Sequence, residues 1–130
     1  MVALVWDKYE HRKALIDDPV EYLIVMAKLK PAIGRGKFLM SHVQFNDDAT
    51  AALTAPVTEI VGITLKDGHV KQELDDVLCT LKTKVALETG SFSRAMWGPT
   101  IEDASKFWLV IGWQNVEVRN SDNSKLYVTE

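Results

Sequence analysis

The chain holds one cysteine, Cys79, so no disulfide can form within it. The residue falls inside an apolar helical stretch, where a buried thiol rather than a nucleophile is expected. No apolar run approaches the ~18 residues that a membrane span requires. The N-terminus has neither the basic nor the apolar region of a signal peptide, so a cytoplasmic location is expected. Basic charge is not in excess either. The net charge is −3, and the one dense basic stretch (Lys28, Lys30, Arg35, Lys37) reads as a solvated turn, which argues against nucleic acid as a partner. There is no Gly-rich phosphate loop and no dinucleotide fingerprint. His11, His42 and His69 are scattered without metal-ligand spacing. No metal and no cofactor is therefore expected.

What is present is an ordinary globular composition: 130 residues, 47% hydrophobic and 25% charged, enough for a single domain over residues 1–130 with a real core. A short motif occurs twice. Trp6, Glu10 and Arg12 are repeated as Trp113, Glu117 and Arg119 at one offset of 107 residues. Each copy reads as a strand end running into a charged helix, the mark of a duplicated unit.

Between the copies, periodicity predicts strands at 37–45, 57–65, 92–97 and 106–113, with a surplus strand at 2–6. Helices are predicted over 7–16, from Pro19 to before Pro31, and over 69–87. The second begins at an Asp18 cap and buries Val20, Leu23, Ile24 and Ala27; the third carries the stripe Val70, Leu74, Val77, Leu78, Leu81, Val85. Residues 46–55 read as a loop and Gly98-Pro99 as a turn. The pattern is α+β, with helices able to cover one face of an antiparallel sheet. Yet the strands at 57–65 and 106–113 are apolar on both sides. A partner subunit's sheet is the simplest cover for the second face, giving a homodimer with a barrel-like interior.

Pro56-Val57-Thr58-Glu59-Ile60-Val61, the helix from His69, Met96-Trp97-Gly98 and Leu109 to Glu117 resemble the antibiotic-biosynthesis-monooxygenase-like family. Residues 56–119 match most of one repeat, and 2–45 resemble the end of a preceding one, as in fungal members where the unit occurs twice. The resemblance implies dimeric α+β barrels built from ferredoxin-like units, here permuted or partly swapped. It also implies cofactor-independent chemistry on hydrophobic natural-product intermediates of polyketide or terpenoid type.

Three side chains are candidates for that chemistry. His42, on a face shared with Met40 and Gln44, can move protons near neutral pH, or it can be a core histidine bonded to the backbone. Glu59 stands among Val57, Val61 and Ile63, where an unpaired buried carboxyl is a candidate acid or base; the alternative is an ion pair with Arg94 or a lysine. Arg94 can hold an oxyanion, or it can be that structural partner. Met40, Gln44, Phe92, Trp97 and Trp108 are candidate substrate-binding residues, although tryptophans are more often core and interface mass than substrate stackers. Ring closure or isomerisation needs a shaped cavity and one or two proton-moving groups, and is favoured slightly over cofactor-free oxygenation. A non-catalytic ligand-binding or stress-related protein is the alternative of a different class.

Overall fold

The computed structural model describes residues 3–34, 39–87 and 90–123. The chain is α+β and divides into two compact units, Met1–Met40 and Ser41–Glu130. The N-terminal unit contains helices α1 (Tyr9–Asp17) and α2 (Pro19–Ile33). Asp18 separates them as predicted. Its Oδ1 accepts from the backbone N of Val20 at 3.0 Å and of Glu21 at 3.1 Å, while its own N–H donates back to Ala14.

Three expectations fail in this unit. Residues 3–6 form no strand, and Leu4 and Val5 are exposed. Helix α2 runs past Pro31, which lies in its last turn and removes only one hydrogen bond there. Val20, Leu23, Ile24 and Ala27 are exposed rather than buried. Two helices cannot enclose an apolar face without a third element, so the periodicity of α2 predicted an element without predicting its burial. The side chain buried in α1 is a charged one, Arg12.

The second unit holds α3 (Thr50–Leu53), β1 (Val57–Thr64), α4 (Lys71–Leu87), β2 (Met96–Pro99), β3 (Lys106–Trp113) and α5 (Val116–Asn123). The sheet is antiparallel in the order β1-β3-β2. Strands β1 and β2 therefore run parallel, joined through α4, with β3 inserted between them. The register pairs Val57 with Trp113 and Thr64 with Lys106 across β1 and β3, and Trp97 with Leu109 across β2 and β3.

Each face of the sheet meets its own cover. On one face Val57, Val61, Ile63, Trp97, Leu109, Ile111 and Trp113 pack with Leu78 and Val85 of α4 and Val118 of α5. On the other, Ile60, Met96 and Val110 pack with Phe45, Ala49, Ala52 and Leu53. The second face is thus covered in part by the chain's own α3, anchored where the Thr58 hydroxyl donates to the Ala52 carbonyl at 2.7 Å. This corrects the expectation of helices on one face and of a loop over 46–55. Small residues at Ala49 and Ala52 let a one-turn helix approach closely, a signal that periodicity does not register.

Two predicted strands are displaced. The one at 92–97 begins only at Met96, because the backbone N–H groups of Phe92 and Ser93 both turn to the Gly112 carbonyl (2.9 and 3.2 Å) and the Ser93 hydroxyl accepts from Gly112 N. Gly98 and Pro99 continue that strand instead of turning it. The strand at 37–45 survives, among described residues, as the single bridge Val43–Thr100. Gln44 N donates to the Pro99 carbonyl at 3.2 Å and Asn46 N to the Trp97 carbonyl at 2.9 Å. Pro99 has no N–H to return, so a regular ladder cannot form. Residues 37 and 38, and the tail 124–130, lie outside the described residues.

Candidate functional site

Strand β1 positions Glu59 on the face covered by α4 and α5, opposite Ile111. Its carboxylate is fully engaged. Oε2 accepts from the Trp113 indole N–H at 3.0 Å, and Oε1 from Arg119 Nη2 at 2.8 Å. The bond to Glu59, with the carboxylate's charge, holds the Arg119 guanidinium above its ordinary value. The acid or base role expected of Glu59 presupposed an unpaired carboxyl, and that condition is not met. The partner is Arg119 rather than Arg94. Arg119 was visible in the sequence as a member of the repeated motif, though not as the partner of a strand glutamate sixty residues away.

His42 lies beyond the outer edge of β2, where its carbonyl accepts from Ile101 N at 2.8 Å. Its ring Nδ1 is hydrogen-bonded to Glu102, and its backbone N–H donates to the two oxygens of the same carboxylate at 3.0 and 3.1 Å. Burial raises the Glu102 carboxyl; the bonds from the His42 ring and backbone outweigh it and set it below the usual carboxylate range. The imidazole side chain is 17% exposed, with Nε2 on its buried side. A carboxylate on Nδ1 fixes the ring's orientation. Glu102 was missed in the sequence, because a loop glutamate sixty positions from its histidine leaves no local signal.

The remaining candidates disperse. Arg94 is exposed in the segment before β2. Phe92 is exposed beside it, and Gln44 is exposed while its carbonyl presses on Gly98. Trp97 is buried, and its indole N–H donates to Asp75 at 2.8 Å. Trp108 stands on the opposite face, its ring 3.4 Å from where a Cβ on Gly62 would sit. Met40 belongs to the N-terminal unit. His42 is level with the Lys106 end of β3 and Glu59 with Ile111, on opposite sides of the sheet order. At ~3.3 Å per residue and ~4.8 Å between strands, they stand roughly 17 Å apart along the sheet and roughly 14 Å across it. The structure brings His42 and Glu102 together; it does not bring together His42, Glu59 and Arg94.

Cys79, expected to be buried, is exposed on α4. Among the described residues no helix is long and apolar enough to cross a membrane, and no group of three His, Cys, Asp or Glu side chains is placed to hold a metal ion. No family model, curated protein or solved structure matches the chain.

Proposed function

We propose that the chain is a cofactor-independent acid–base catalyst that acts on an apolar small molecule, with His42 transferring the proton and Glu102 positioning it. The observation that carries this reading is the double engagement of one carboxylate by the ring and the backbone of a single histidine. That arrangement fixes the orientation of the imidazole, as an acid–base pair requires. Cyclisation or isomerisation of a polyketide- or terpenoid-like intermediate is the favoured reaction, and cofactor-free oxygenation the alternative.

The proposal includes the family resemblance, the homodimer and the cytoplasmic setting. The order β1-α4-β2-β3-α5, with β3 between β1 and β2, supports the resemblance, since those are the first five elements of a βαββαβ unit in a matching strand order. Cover of the second sheet face by α3 weakens the need for a partner's sheet at that end.

Solvent-deuterium incorporation into a panel of apolar ketones tests the chemistry. Wild type should exchange the protons beside the carbonyl, His42→Ala should not, and Glu102→Gln should exchange slowly with a shifted pH profile. Equal exchange by wild type and His42→Ala would end the proposal. A non-catalytic ligand-binding protein is the second reading, favoured by the full engagement of Glu59 with Trp113 and Arg119. It predicts binding of the same compounds without exchange.

A further inference from the structure

The repeated motif has a structural counterpart in each unit. Helix α1 begins at Tyr9 and α5 at Val116, both three residues after the tryptophan, and Arg12 and Arg119 are each the fourth residue of their helix. In the second unit the tryptophan and the arginine share one acceptor, the Glu59 carboxylate. In the N-terminal unit the same two residue types lie together, with the Arg12 guanidinium carbon 5.7 Å from the Trp6 ring centre. The Tyr22 ring is 5.9 Å away on the neighbouring helix, and Arg12 Nη2 donates to the Met40 thioether sulfur at 3.0 Å.

Among the described residues no carboxylate completes this corner. Arg12 is 7% exposed, yet the ion pair of this unit among the described residues is Lys13–Asp17. The stretches of the unit outside the described residues, 1–2 and 35–38, contain no Asp or Glu. Charges removed from water are paired in proteins, because leaving one bare costs several kcal/mol. A thioether is a weak acceptor, and two aromatic faces supply part of the missing stabilisation but no counter-charge. A guanidinium fork walled by two rings and a thioether matches a planar anion with an apolar body.

We propose that the Trp6–Arg12–Tyr22 cluster is a binding site for the carboxylate of a small apolar acid, which takes at this corner the place that Glu59 takes between Trp113 and Arg119. The site is independent of the chemistry proposed for His42.

Calorimetric titration of the full chain with benzoate and octanoate, and with benzamide and octanamide as uncharged counterparts, tests it. Wild type should bind at least one of the acids saturably, one per chain. The matching amide should bind about tenfold more weakly or worse, the loss expected for a charge-assisted hydrogen bond. Arg12→Gln should lose the acid by about the same factor, with an unchanged circular dichroism spectrum, whereas Arg119→Gln should keep it. Three results overturn the proposal: no saturable uptake of either acid, equal affinity for acid and amide, or undiminished affinity in a folded Arg12→Gln chain. Should that variant fail to fold, the acid-against-amide comparison on the wild-type chain decides alone.

Discussion

Trp113 and Arg119 donate to the two oxygens of one carboxylate, that of Glu59, at 3.0 and 2.8 Å. The contact ties the start of α5 to the far strand of the sheet across β3. Trp113 is 1% exposed, so its indole N–H has no water to turn to if Glu59 is lost. Arg119 is 35% exposed and can rehydrate. Glu59→Ala should therefore lower stability by about 1–3 kcal/mol, mostly through the orphaned indole donor. Glu59→Gln should cost less, since an amide oxygen can still accept from the indole. Urea unfolding followed by tryptophan fluorescence gives both numbers. Indistinguishable midpoints for Ala and Gln would show that the indole bond carries little.

The approach of residues 44–46 to β2 depends on the absence of a side chain at position 98. A Cβ on Gly98 would stand 1.9 Å from the Gln44 carbonyl oxygen and 3.0 Å from the Phe45 Cα, all backbone atoms that cannot rotate away. Gly98→Ala should detach this segment and destabilise the second unit by about 3 kcal/mol or more, the upper range for overpacking. Gly62→Ala is the control: its Cβ would meet the Trp108 ring at 3.4 Å, an ordinary contact. Amide exchange of Gln44 and Asn46 should rise in the first variant and stay unchanged in the second.

Cys79 is exposed on α4. A thiol in that position should react with a disulfide reagent in the native protein at nearly the rate seen in denaturant. Slow labelling that accelerates only on unfolding would place the thiol inside an interface or the core.

Much of the second unit was legible in its sequence because its strands are long and apolar. Strand β3 spans the predicted residues 106–113, and β1 and α4 differ from expectation only at their ends. What stayed hidden depends on contacts distant in sequence. Nothing near Phe92 signals that its N–H will turn to Gly112, and nothing near Pro99 signals which chain its missing donor will face. The apolar stripe of α4 was read as one face, yet Val70 and Val77 are 58% and 57% exposed, because only the Leu74, Leu78, Leu81 and Val85 side meets the sheet. The site suffered more than the fold. His42 was visible as a residue type, but its partner Glu102 was not, and Glu59 drew notice as a lone carboxyl when its two donors already lay in the repeated motif.

Asp75 gives the acid limb of stability a testable sign. Burial raises its carboxyl, but the hydrogen bonds from Lys71 and from the buried Trp97 indole, with the lysine's charge, outweigh that and set it below the ordinary 3.8. A carboxyl held lower in the folded chain than in the unfolded one contributes fully above the unfolded value and loses its contribution as pH falls through the folded one. Asp75→Asn keeps an oxygen for the Trp97 indole and removes the charge. At neutral pH the variant should be less stable than wild type by about 1 kcal/mol. As pH falls below about 4 the gap should close, because wild-type Asp75 becomes neutral too. Glu102 and Asp103, also held low, titrate alike in both proteins and leave the difference untouched. Urea midpoints measured from pH 7 to pH 3 read the gap directly. A gap that stays constant over that range would mean that Asp75 carries the same proton in the folded and unfolded chains, and a gap that widens in acid would reverse the sign of its shift.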